Sequence, residues 1–337
     1  MRCVLIGNFG VGNFGDEALK EYFLGTFPEV EWTVTSVQKT CHPELVEGST
    51  RFSLGMTLVP RLPFGFCSLF TPWWKTIKAF YRADAVVFGG GSLFTDSESL
   101  FACFLWGWHA FFAWALGKPI LLAFQGIGPL RTRRGEWITR WVCRRAAFIS
   151  VRDHVSYDRV HRWSLSTKIV QTFDPVFLLL RKENRQQSSQ NVLIVIPRNN
   201  SGATLREHVK NALVRERFDS IRILLLQPDN EAEVSYARTL QSELSIPTTT
   251  ISIRSIDAMA ESLSDARFVL AERYHGALAA LALGIPVEII TQAERDKLDA
   301  LKDYVKKDPA ELCALVVVGE DALRDAFAYH AGLHEHP

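Results

Sequence analysis

Cys3-Val4-Leu5-Ile6-Gly7-Asn8-Phe9-Gly10-Val11-Gly12-Asn13-Phe14-Gly15-Asp16-Glu17 is the stretch on which the reading of the chain turns. Four consecutive apolar residues read as a buried strand, the glycine-rich run after them as a turn, and Asp16–Phe27 as a helix. Strand, glycine turn and helix in that order open a doubly wound α/β domain. Gly10-x-Gly12-x-x-Gly15 formally satisfies the dinucleotide fingerprint. Two features argue against that ligand. Asp16 and Glu17 put negative charge in the first helical turn, where it repels a pyrophosphate docked on the helix N-terminus. The second strand ends in Ser36-Val37-Gln38, without the acid that holds a ribose. The glycines are therefore read as a tight turn carrying polar groups to the carboxyl edge of a sheet.

The same alternation runs along the chain. Strands are predicted at 3–7, 31–37, 85–88, 120–124, 147–151 and 168–172, with helices between them at 16–27, 73–81, 100–116, 136–145 and 154–163. The polar run 181–190 reads as a linker. Beyond it the pattern restarts, with strands at 192–196, 221–226, 249–253, 267–271 and 287–290 and helices at 204–214, 231–244, 256–263, 275–283 and 321–329. Two Rossmann-like α/β domains in tandem are expected, 1–180 and 191–337. Residues 39–66 break the alternation and read as a surface insertion without catalytic weight. The aromatics near it, Phe64, Phe66, Phe70, Trp73 and Trp74, read as packing a lid or touching a membrane or partner.

The 337 residues carry 38 Lys and Arg against 37 Asp and Glu, with 47% hydrophobic and 22% charged residues. This balance excludes a disordered chain and a strongly basic nucleic-acid binder. Near-neutrality hides an asymmetry: residues 1–182 hold 21 basic and 14 acidic residues, the remainder 17 and 23. The six cysteines show no C-x-x-C spacing and no neighbouring His at a ligand interval, so reduced thiols, no metal site and a cytoplasmic location are expected. Met1 leads directly into a strand-like run, without the charged region or cleavage site of a signal peptide. Leu100–Leu116 is apolar on every face apart from His109; Gly107, His109 and its bare minimum length favour a buried helix over a membrane span.

Further strand ends carry polar or glycine-rich turns. Gly89-Gly90-Gly91-Ser92-Leu93 with Asp96, Gln125-Gly126-Ile127-Gly128-Pro129, and Val151-Arg152-Asp153 each follow a predicted strand. Successive turns of this kind form the ligand crevice of an open α/β sheet. The sharpest signal is Glu272-Arg273-Tyr274-His275-Gly276, delivered by a strand to the start of a helix. Arg273 suits a carboxylate or phosphate, and His275 suits proton transfer near neutrality. A salt bridge with a capping histidine is the structural alternative. Arg198, after the strand at 192–196, reaches toward the same edge.

Taken in order, Gly10–Ala18, Gly89–Leu93, Gln125–Pro129, Val151–Asp153, Asp174-Pro175, Arg273–His275 and Ala280–Pro286 resemble the polysaccharide pyruvyltransferase family, from residue 1 to about 290. The resemblance implies a GT-B-like fold of two Rossmann-like doubly wound domains facing a central cleft. It also implies phosphoenolpyruvate as donor substrate, with no separate cofactor, and a sugar of a cell-wall or exopolysaccharide precursor as acceptor. By position, Arg273 and His275 match the family's donor-binding Arg-x-His, and Arg152 matches its strand-end arginine. Asp296-Lys297 fall later than the family's Tyr-Asp-x-Lys-like stretch, so Lys297 is not carried over.

Ketal formation from phosphoenolpyruvate needs cations for a carboxylate and a phosphate, an acid for the methylene carbon and a base for a sugar hydroxyl. Arg273, Arg152 and Arg198 are the expected cations, His275 the acid, and Asp16 or Asp96 the base. Gly12, Asn13, Gly90, Ser92, Gln125 and Tyr274 complete the expected substrate contacts. A GT-B glycosyltransferase using a nucleotide-sugar donor is the alternative, with Glu272 or Glu288 holding its ribose. Arg131, Arg133, Arg134, Arg140, Arg144 and Arg145 read either as a solvated helix face or as a surface for a lipid-linked acceptor or the inner face of a membrane.

Overall fold

The computed structural model describes residues 1–37, 56–63, 72–97, 99–181, 191–291 and 297–332. Most of the run read as an insertion, with Phe64, Phe66 and Phe70, and the linker residues 182–190 lie outside them. The first half forms β1 (Arg2–Ile6), α1 (Phe14–Thr26), β2 (Glu31–Ser36), β3 (Thr57–Pro60), α2 (Trp74–Arg82), β4 (Ala85–Phe88), α3 (Leu100–Ala115), β5 (Ile120–Gln125), α4 (Arg133–Cys143), β6 (Ala146–Val151), α5 (His154–His161), β7 (Ile169–Gln171) and α6 (Val176–Arg181). The second half forms β8 (Val192–Ile196), α7 (Ala203–Arg215), β9 (Ser220–Leu225), α8 (Glu231–Glu243), β10 (Thr248–Ser252), α9 (Ile256–Ser262), β11 (Ala266–Ala271), α10 (Tyr274–Ala282), β12 (Val287–Ile289), α11 (Lys297–Lys302) and α12 (Pro309–Gly332).

Two sheets result, in the orders β3-β2-β1-β4-β5-β6-β7 and β10-β9-β8-β11-β12, with parallel pairing throughout. The central strands β4, β5 and β8 are buried at every residue. Continuous apolar runs, rather than alternating ones, are what strands covered on both faces require. Strand order reverses beside β1 in the first sheet and beside β8 in the second, so β1/β4 and β8/β11 are the switch points where an α/β sheet receives ligands.

The structure differs from the sequence reading in three places. Residues 57–60, inside the run read as a surface insertion, form a strand of the sheet: β3 pairs with β2 from Thr33↔Thr57 to Ser36↔Pro60. The compact units are Met1–Val11 with Leu19–Pro175 and Ala310–Pro337, and Gly12–Ala18 with Val176–Pro309. The final helix joins the first unit because Phe327 packs edge-on against Phe27 and Trp32, and Tyr22 Oη donates to Glu320 at 2.6 Å. α6 joins the second unit ahead of the expected linker, with Arg181 donating to the Ala282 carbonyl at 3.3 Å.

The third correction concerns α3. It buries Cys103, Trp106, Gly107, His109, Ala110 and Ala113, yet leaves Phe101, Phe104, Phe111 and Trp114 exposed on its outer face. It is a surface helix with an aromatic exterior, not a helix buried all round. No helix among the described residues is long and apolar enough to cross a membrane.

His109 ties α3 to the segment after β3. Its Nε2 accepts from the Leu62 N–H at 3.1 Å, so Nδ1 carries the proton and donates to the Leu105 carbonyl at 2.8 Å. Full burial pulls its pKa down from 6.5 to about 4. Protonation would also remove the only acceptor lone pair facing Leu62. The folded state therefore disfavours the charged ring, and the stability held above pH 6.5 drains away as pH falls toward 4. Urea unfolding is expected to show a loss of ~3 kcal/mol over that window, attenuated in His109→Gln. An unchanged pH dependence in the variant contradicts the buried neutral ring.

Candidate active site

In the second unit, the β8/β11 switch point gathers the Arg-Tyr-His turn. β11 ends at Ala271, the Glu272 N–H donates to the Ile196 carbonyl, and Arg273 is the N-cap of α10 in extended conformation. Arg273 makes no side-chain capping bond. Its guanidinium turns instead to α8: Nη2 donates to Gln227 Oε1 at 2.8 Å and pairs with Glu233, and Nε reaches the Pro197 carbonyl at 3.4 Å. Glu233 is fully buried and also accepts from the Gln227 N–H at 3.0 Å. The cation expected to meet a ligand thus already shares its charge with a buried carboxylate, which sequence reading missed. Its signal was an acid in the first turn of a predicted helix.

His275 and Tyr274 are buried in the first turn of α10, with their rings edge-on at 5.2 Å. Gly276 follows because a Cβ there would meet Ile196 Cδ1 at 2.7 Å. Glu272 is buried and accepts from Ser201 Oγ, while Ser201 Oγ accepts from the Arg198 N–H at 2.7 Å. This triad holds the turn after β8 and with it Arg198.

The segment Gly12–Ala18 clusters with the same unit. The Phe14 N–H donates to the Leu226 carbonyl at 3.0 Å, locking the start of α1 to the end of β9. Gly12 has φ +73°, and a Cβ there would approach Asp229 Oδ2 at 2.7 Å. At Gly15 a Cβ would overlap the His275 ring at Nδ1. Glycine is therefore required at 15 for the first turn of α1 to lie against that histidine. Asp16, the next residue, is 7% exposed and accepts from Asn13 Nδ2 at 2.6 Å. Gly12, Asn13, Asp16, Arg273, Tyr274 and His275 thus belong to one compact unit, with Gly15 against the His275 ring.

The remaining predicted residues lie in the first unit and brace its loops. Gln125 is fully buried, and its Nε2 donates to the carbonyls of Phe88 at 2.8 Å and Gly90 at 3.2 Å. Arg152 is fully buried, pairs with Asp174 and donates to Ser92 Oγ at 2.9 Å. Asp96 accepts from the N–H groups of Arg131 and Thr132 and from Thr132 Oγ1. Burial works to raise its pKa, but the hydrogen bonds from Thr132 and Arg131 outweigh it and hold the carboxyl low. A carboxylate so committed to a loop is poorly suited to accept a substrate proton, which leaves Asp16 as the base candidate. Arg61, in the stretch set aside as insertion, contacts the turn after β1 through the Gly7 and Phe9 carbonyls, each at 3.3 Å, and Asn8 Oδ1 at 3.0 Å. Among the described residues no group of three or more His, Cys, Asp or Glu is arranged to hold a metal ion.

Gly15→Ala tests the helix contact directly. Forcing a methyl group into the His275 ring is expected to destabilise the fold by about 1–3 kcal/mol in thermal unfolding. A variant as stable as the wild type contradicts the close approach.

The sequence matches the family described as polysaccharide pyruvyl transferase over residues 13–292. No curated protein matches it. Among solved structures the fold is similar to that of HepE from Anabaena in complex with UDP and glucose, at 10% identity, covering 97% of this chain and 94% of that one with a TM-score of 0.58. It is also similar to the UDP-GlcNAc 2-epimerase of Methanocaldococcus jannaschii, at 10% identity, 97% and 100% coverage and a TM-score of 0.61. MnaA from S. aureus, solved with UDP, matches at 11% identity, 98% and 97% coverage and a TM-score of 0.61. At such identities the likeness shows the fold alone: a GT-B-like chain with two doubly wound α/β sheets. The family match is of another kind, since it spans most of the chain and includes the α1 turn, the strand-end turns and the Arg-Tyr-His segment; by it, the protein belongs to the polysaccharide pyruvyl transferase family.

Proposed function

We propose that the enzyme moves a pyruvyl group from phosphoenolpyruvate to two hydroxyls of a saccharide in a cell-wall or exopolysaccharide precursor, forming a ketal and releasing phosphate. The observation that carries this reading is the packing of Gly15 against His275, which brings a proton-transfer histidine to the helix turn that bears Asp16. His275 protonates the donor's methylene carbon, making the methyl group and an oxocarbenium-like centre. Asp16 takes a proton from the attacking sugar hydroxyl. The second hydroxyl displaces phosphate, which leaves with the remaining proton, so two sugar O–H bonds supply one C–H and one phosphate O–H.

The donor's anionic groups are met by the α10 N-terminus and by Arg273, with Arg198 on the neighbouring turn. Glu233 offsets Arg273 in this state, so donor binding draws the guanidinium away from a buried partner. Arg152 contributes through Ser92, whose turn it fixes. The acceptor we assign is a lipid-linked saccharide at the cytoplasmic face of a membrane.

A second reading, transfer from a nucleotide sugar, is favoured by the UDP in the HepE and MnaA structures. The acids that would hold its ribose are engaged elsewhere: Glu272 with Ser201, and Glu288 with His208 at 2.5 Å and Arg215 at 3.7 Å.

Thermal unfolding separates the two. Phosphoenolpyruvate at saturating concentration is expected to raise Tm by about 2 °C or more, and UDP-glucose to leave it unchanged. The reverse pattern overturns the proposal. His275→Gln is expected to lower kcat for phosphate release by ~10²–10⁴ while keeping the donor-induced rise in Tm. Near wild-type turnover removes His275 as the acid. Arg273→Ala is a poor test, because it leaves Glu233 buried without its cation, a change that destabilises by about 3–5 kcal/mol. Arg273→Lys keeps the charge and loses the fork, and is expected to raise the donor KM about tenfold; an unchanged KM excludes direct donor contact.

A further inference from the structure

α3 and α4 carry a groove of about 390 Å³, lined chiefly by Phe104, Trp108, Phe111, Trp114, Trp137 and Trp141. Trp137 is 68% exposed and Trp114 47%. Large aromatics exposed in one contiguous patch mark an interaction surface rather than scattered surface residues. Nothing in the catalytic cluster uses them.

The charge around the groove selects its partner. From Ser99 to Phe148 the chain has seven Lys and Arg and one acid, Glu136. On a helical period, Arg133, Arg134 and Arg140 fall on the half of α4 that carries Trp137 and Trp141, and Arg144 and Arg145 follow at its C-terminus. Arg145 stacks over the rings of Trp141 at 4.1 Å and Trp114 at 5.1 Å, joining the cationic rim to the aromatic floor. Aromatic rings and arginines on one helix face are the chemistry of a protein lying in a lipid interface: rings enter the headgroup boundary and arginines meet anionic phosphates. A second copy of this chain fits poorly, because a symmetric contact would bring two arginine-rich rims together. No helix among the described residues can span the bilayer, so contact is with its surface.

We propose that the α3–α4 face docks the enzyme on the surface of an anionic bilayer. This deepens the reading of a lipid-linked acceptor, and it concerns a surface whose binding is measured without donor or acceptor.

The test is co-sedimentation with vesicles of phosphatidylcholine containing phosphatidylglycerol, against phosphatidylcholine alone. Wild-type protein is expected to bind the anionic vesicles, weaken with salt and show a blue shift of tryptophan emission. Arg133→Ser/Arg134→Ser/Arg144→Ser is expected to lower the vesicle affinity about a hundredfold. Trp114→Ser/Trp137→Ser is expected to abolish the blue shift. Both variants keep the Tm rise with phosphoenolpyruvate, which shows an intact fold and a donor site that stands or falls separately. Absence of binding to anionic vesicles, binding indifferent to both variants, or a wild-type dimer dissociated by them overturns the proposal.

Discussion

The site depends on one steric constraint: position 15 has no room for a side chain, because the His275 ring occupies the place a Cβ would take. The constraint explains a glycine run that resembles a dinucleotide fingerprint without the charges of one. The glycines here do not open a phosphate cradle on α1, whose first turn is acidic. They let that turn approach a second helix start, α10, and so bring Asp16 to the unit that holds His275. Two helix N-termini differ in chemistry, an acidic turn on α1 and an arginine-flanked turn on α10.

Two of the arginines at the strand ends are paired internally before any ligand arrives. Arg273 is paired with Glu233 and Arg152 with Asp174, and all four side chains are largely or wholly buried. Buried pairs of this kind add little net stability, yet breaking one leaves an uncompensated charge in a low-dielectric site. Under the proposed function, donor recognition would work by exchange, an incoming anion competing with Glu233 for a guanidinium already oriented. The surplus of positive charge in the first half of the chain has a different origin. Much of it lies along α4, on the face shared with exposed tryptophans.

The sheet strands were largely legible, since most of them are short β-prone runs followed by turn residues. β3 was not: its four residues sit among prolines and turn formers, and its strand character comes from pairing with β2. α6 and α11 are six residues each, too short for a helical period to show. α3 misled because apolarity cannot distinguish burial from an exposed aromatic face. Around His275 and Asp16 the sequence showed which residue types lie at the strand ends, whereas their partners were not legible. Glu233 and Asp174 are remote in sequence from the arginines they hold, and Asp96 looks like a free carboxylate until the loop after β5 folds over it.

The central claim is that the donor's methylene carbon receives a proton in this site and becomes the methyl group of a ketal. The most direct measurement is the reaction of phosphoenolpyruvate with an accepted saccharide in deuterated water, followed by NMR of the product. One deuterium in the ketal methyl group, with one phosphate released per product, is the result this account predicts. A product that retains the methylene carbon as an enol ether, or a sugar transferred from a nucleotide donor instead, would contradict it.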